Sequence, residues 1–195
     1  MRGRRAAVVG LLVTLALPPA DAGHGLMNAF ADIEWLPDPG RTPASPDYAL
    51  DRAAESARLA IADAPARFAL LLGFLREKLA EVDAMVRAER GAAASVAVAA
   101  YRDYLERAAA LATSDDAARS LASALLEHQY IMSVNYLDLP RGARQVIAEV
   151  MTAAAGHYER LRDALPRAFR EAQFFKEEEV RWSWETAQQA DAQGL

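Results

Sequence analysis

Between Phe68 and Val86 the apolar residues Phe68, Leu72, Leu75, Leu79, Val82 and Val86 recur at alternating steps of four and three. That spacing holds one side of an α-helix against a partner helix over about three heptads, as in a coiled coil. A second stretch, Val98, Tyr101, Leu105 and Ala108, repeats the spacing after Gly91, which reads as the stop between the two. The pair predicts a helical hairpin, with Asp63 as the cap and Pro65 in the first turn of its leading helix.

The rest of the chain follows the same period. A helix is expected from Ser45-Pro46-Asp47 to about Ala62, another after Thr113-Ser114-Asp115-Asp116, and a fifth carrying Ile147, Val150, Ala154, Leu161 and Leu165. Pro140 and Gly142 separate the last two, and Pro166 precedes a final segment, Arg167 to about Ala190, in which Glu177-Glu178-Glu179 interrupts any apolar stripe. No alternation of the strand type is present. The expected fold is therefore all-α, an antiparallel helical bundle or stacked helical hairpins of about five to six helices. Alanine accounts for much of the 53% hydrophobic content, which favours helix while holding mean hydropathy near zero.

The chain opens with Met1-Arg2-Gly3-Arg4-Arg5, an apolar run from Ala6 to Leu17, and then Pro18-Pro19-Ala20-Asp21-Ala22. Basic residues, a short apolar stretch and small residues at the junction are the parts of a secretory signal peptide. The expected organisation is a signal peptide over 1–22, an extended or disordered leader over 23–44 that docks through Phe30, Ile33 and Trp35, and a helical domain over 45–190. Within that domain 45–112 is the hairpin region and 114–190 the C-terminal helices. Cleavage near Ala22 would make the protein periplasmic or secreted.

Charge and residue types exclude much. The net charge of −5 becomes −7 once residues 1–22 are removed, a poor match for nucleic acid, whose binding rests on lysine and arginine. No segment of the mature chain is apolar enough to span a bilayer. Cysteine is absent, so disulfides, thiol nucleophiles and cysteine-held metals are excluded. No Glu-x-x-His, His-Glu-x-x-His, Gly-x-Ser-x-Gly or glycine-rich phosphate loop occurs. The expectation is a protein that is not an enzyme and carries no cofactor; the remaining catalytic reading is carboxylates such as Glu127 and Glu149 meeting in a bundle cleft.

Three histidines are available for ligation. His128 and His157 lie on the seams of the fourth and fifth helices, offset along the axis by about five residues or ~7.5 Å, so they are expected to make interhelical hydrogen bonds rather than share an ion. His24 is different. Processing beside Gly23 would bring it to or next to a free amine, with Met27 nearby, and offer a square-planar site for copper. Phe174, Phe175, Trp182 and Trp184 are the candidate partner-binding residues, for an envelope protein or for self-association, because aromatics are enriched where proteins meet.

The run Ser45-Pro46-Asp47-Tyr48-Ala49-Leu50, followed by Arg52, Glu55, Arg58-Leu59, Pro65, Arg67 and Glu77-Lys78-Leu79-Ala80-Glu81, resembles the bacterial family called domain of unknown function 5667. Members resemble this chain in a Ser-Pro-x-Tyr-x-Leu helix start, a Glu-x-x-Arg-Leu continuation and a long following helix with Glu-x-Leu-x-Glu. The resemblance covers about Leu36 to Ala112. It implies an exported helical module of unknown function and supplies no catalytic residue.

Overall fold

The computed structural model describes residues 29–194, and the signal-peptide reading and His24 lie outside them. Six helices follow in order: α1 Tyr48–Ile61, α2 Ala64–Arg87, α3 Gly91–Leu111, α4 Asp115–Asn135, α5 Arg144–Ala164 and α6 Arg167–Gln193. Two short 3-10 turns, Tyr136–Asp138 and Arg141–Ala143, join α4 to α5. Among the described residues no strand occurs, and the architecture is an all-α bundle of two hairpins, α2/α3 and α4/α5, stacked on each other. The short connections within each hairpin make its helices antiparallel neighbours.

Local chemistry explains where the helices begin and end. Asp63 caps α2 by accepting a hydrogen bond from the Ala66 amide at 2.9 Å, and Ser114 caps α4 through the Ala117 amide at 3.2 Å. The start of α1 differs from expectation: Ser45 and Pro46 lie in turns before it, and Asp47 holds the capping position without a side-chain hydrogen bond. Gly91 also plays another part. It opens α3, while α2 is closed by Glu89 at φ 55°, with the Arg90 amide on the Met85 carbonyl at 2.9 Å and the Glu89 amide on Val86 at 3.0 Å. That is a Schellman closure with glutamate where glycine is usual.

α2 is the central helix. Its burial extends well beyond the six-residue seam, taking in Leu71, Phe74, Lys78, Glu81 and Met85, because α3, the α4/α5 hairpin and α1 each cover a different side. Leu75, Leu79, Tyr101, Leu105, Leu121, Leu125 and Ile147 form the fully buried interior. By contrast α1 is peripheral and buries only Glu55 and Leu59. Arg67 of α2 finishes it, donating to the Leu59 carbonyl at 2.9 Å and the Ala62 carbonyl at 2.8 Å.

The segment before α1 is extended and anchored at two places. Phe30, 3% exposed, stacks on Tyr130 of α4 with centroids 4.2 Å apart, and the Ala29 amide donates to Glu179 of α6 at 2.7 Å. Further on, Arg76 of α2 grips Glu34 and donates to the Trp35 carbonyl at 2.6 Å. Ile33 is half-buried, while the Trp35 ring stands 54% exposed.

Candidate functional site

The residues that carried the sequence resemblance converge in space. Lys78, on the inward side of α2, has no exposed surface, and its ammonium lies 2.6 Å from Glu55 Oε1 of α1 and in direct contact with Glu81 one turn on. Glu55 is bound on its other oxygen too: Tyr104 of α3 donates to Oε2 at 2.6 Å and Arg52 at 2.9 Å. The Tyr48 ring lies 5.6 Å from the Lys78 ammonium, and the Arg52 guanidinium stacks 4.5 Å over Tyr104. Glu77 stands at the margin, 3.7 Å from Lys78 with its side chain 32% exposed.

Each helix supplies these groups for a local reason. Lys78 and Glu81 are three residues apart and so share one side of α2, between the apolar positions Leu75, Leu79 and Val82. Glu55 and Leu59 are four apart on the only buried stripe of α1. Docking α1 therefore brings a carboxylate onto an ammonium that α2 has already turned inward.

Burial and pairing set the protonation states. Burial alone lowers the pKa of Lys78, but the hydrogen bonds to Glu55 and Glu81 outweigh it and the net direction is up, so the lysine stays charged. Glu81 is pushed up to about 7 by burial, against the opposing pull of Lys78. Its Oε2 is buried without a hydrogen bond of good geometry, as is the Tyr48 hydroxyl, which couples to it electrostatically. Tyr104 is raised by burial and then by its bond to Glu55, so its hydroxyl remains a donor.

This arrangement binds helices together better than it turns over a substrate. Glu55, Lys78 and Glu81 are at most 3% exposed, leaving no approach for a reacting molecule in this state. Asp51, Glu55 and Glu77 bring carboxylate oxygens within 4.8 Å of one another, the donor type a hard cation takes. Glu55, however, already has both oxygens in contact with Lys78, Tyr104 and Arg52, which leaves two half-buried carboxylates for any ion.

The other residues singled out in the sequence are dispersed. His128 is buried, with Nδ1 3.1 Å from the Tyr101 hydroxyl, and burial first, then Arg76, lower its pKa to about 3. His157 pairs through Nε2 with Glu106 at 3.1 Å. Both join α3 to the second hairpin and they belong to separate contacts. Glu149 lies near Arg102, 3.6 Å away, with both side chains more than two-fifths exposed. On α6, Phe174, Phe175 and Trp182 are 51%, 54% and 58% exposed, whereas Trp184 packs edge-on against Tyr136 at 4.9 Å.

The apolar period assigned no role to Glu55, Lys78 and Glu81, which entered the sequence reading only through the family resemblance. The available signal was positional: Lys78 and Glu81 fall among Leu75, Leu79, Val82 and Val86 on a helix whose neighbours cover most of its circumference.

The sequence pattern of the domain of unknown function 5667 matches residues 40–168, which take in all of α1 to α5. No curated protein and no solved structure matches the chain.

Proposed function

Since the chain belongs to the domain of unknown function 5667 family, we propose from its own geometry that it is an exported, non-enzymatic helical module that binds a protein of the cell envelope through the outer face of α6. The observation that carries this reading is the exposure of Phe174, Phe175 and Trp182 on a helix that lies almost wholly beyond the family match. Phe175, Glu178 and Trp182 follow each other at helical spacing along one face, and Phe174 packs edge-on against Phe175 at 5.4 Å. Exposed aromatics of this kind, rimmed by charges such as Arg181 and Glu178, are the anchors that protein interfaces use.

The way α6 is attached supports the same reading. It buries Val180 and Ala187, lays Phe169 and Trp184 partly against the core, and is further held by polar anchors. Glu177 accepts from Tyr158 and from Arg162 at 2.7 Å, and Asp191 accepts from Tyr136 at 3.1 Å and pairs with Arg144. An aromatic outer face on a helix fixed by its inner face is a presented surface. Export rests on the tripartite pattern of residues 1–22, and among the described residues no helix is long and apolar enough to cross a membrane.

The test is site-specific photo-crosslinking from position 175 in cells that export the protein, compared with the exposed position Ser120 on α4. An adduct with an envelope protein from position 175 alone supports the reading. Equal adducts from both positions, none from position 175, or an unprocessed cytoplasmic protein would overturn it.

A further inference from the structure

The described residues outside the family pattern fall at the two ends of the chain, 29–39 before it and 169–194 after it. These two stretches meet each other. The Ala29 amide donates to Glu179 of α6 at 2.7 Å, and the Lys176 ammonium lies 5.2 Å from the centre of the Phe30 ring. The same ring, 3% exposed, stacks at 11° on Tyr130, so Phe30 fills the joint between α4 and α6. Burial first, and then the Glu179 carboxylate, raises the pKa of the Tyr130 hydroxyl, which ties the tyrosine and the glutamate into one contact with Phe30.

Beyond Phe30 the segment turns, with the Ile33 amide on the Phe30 carbonyl at 3.0 Å, and is then gripped by Arg76 of α2 at Glu34 and the Trp35 carbonyl. Residues 29–40 contain neither helix nor strand, so this strap is held by its anchors rather than by a hydrogen-bonded ladder. Segments of that kind open locally at less cost than the core does.

The strap reaches the very turns of α6 that carry the aromatic face. Lys176 and Glu179 are half-buried on the inner side, while Phe175 and Trp182 stand more than half exposed on the outer side of the same turns. With only Val180 and Ala187 buried along α6, a hold at 176 and 179 fixes where the outer rings point.

We infer that the strap and α6 are one conformational unit, in which the seating of Phe30 sets the aromatic outer face of α6. The functional consequence rests on the reading of that face as a binding surface. With Phe30 seated the rings are held for a partner, and with the strap released they are not. By linkage, a partner that prefers the held face tightens the strap by the same factor.

Native-state hydrogen exchange on the purified full chain tests the unit without a partner. Phe30→Ala should speed exchange of amides 174–182 by about tenfold or more, while α2 and α3 stay within about twofold of the wild type. Arg76→Met frees the strap at Glu34 and Trp35 and opens no cavity beside α6, and it should speed the same amides by about threefold or more. Unchanged exchange in α6, loss spread equally over all helices, or a response to Phe30→Ala alone would overturn the inference, the last by making Phe30 an ordinary core residue. Photo-crosslinking from position 175 separates the two readings. An adduct undiminished by Phe30→Ala contradicts control of the face by the strap. Absence of any adduct in the wild type contradicts the partner reading and leaves hydrogen exchange to decide the unit.

Discussion

Lys78 and Glu55 meet at 2.6 Å across two helices, with side chains 0% and 3% exposed. A pair this deeply buried gains little over a well-packed apolar pair of the same shape, but losing one partner leaves an uncompensated charge. Lys78→Met should therefore destabilise the protein by about 3–5 kcal/mol, since Glu55 and Glu81 are left facing each other. Replacing Lys78, Glu55 and Glu81 together by apolar residues should cost less than Lys78→Met alone. Urea denaturation of the two variants checks the order.

Two buried groups give opposite pH trends. Glu81, near 7 in the folded chain and about 4.3 in an unfolded one, favours folding below its ordinary value and loses that contribution as pH rises toward 7. His128, near 3 when folded and about 6.5 when unfolded, contributes stability above 6.5 and loses it as pH falls toward 3. Their windows overlap between about pH 4.5 and 6.5, so their contributions offset there. Glu81→Gln should uncover a rise of about 1.4 kcal/mol per pH unit across that window, and His128→Gln a fall of similar size. Denaturation midpoints collected at half-unit intervals would show both slopes.

The left-handed residue that closes α2 is glutamate rather than glycine. Relieving that conformation by Glu89→Gly should stabilise the chain by about 1 kcal/mol, since a side chain in this region carries a cost of that order. A thermal melt lower than that of the wild type would contradict the assignment of the turn.

The Tyr101 hydroxyl and Nδ1 of the neutral His128 ring share a hydrogen bond at 3.1 Å inside the core. Tyr101→Phe leaves that ring nitrogen buried without its partner, which should cost about 1–3 kcal/mol. His128→Leu in the same background should recover part of that loss, and a double-mutant cycle measures the coupling.

Helix number, the two hairpins and the caps at Asp63 and Ser114 were legible because they depend on local rules: apolar period, capping oxygens and proline punctuation. The interhelical roles of His128 and His157 followed from their places on the seams. What stayed hidden depends on tertiary contacts. Glu177 and Glu179 interrupt the apolar pattern of α6, yet the structure turns them to Tyr158, Arg162 and the Ala29 amide, so a charged stretch became the fastening of the helix. Trp184 separates from Trp182 because Tyr136 receives it. Glu55, Lys78 and Glu81 are charged residues at core positions, and only the docking of α1 on α2 and α3 explains why they are tolerated there.

The residues shared with the family pattern fasten α1 to the hairpin through buried charge. Native-state hydrogen exchange on the wild type and on Glu55→Gln tests it most directly. In the variant, α1 amides, and the Tyr48 region above all, should lose protection while α4 and α5 keep theirs. Unchanged protection of α1, or equal loss across all helices, would contradict it.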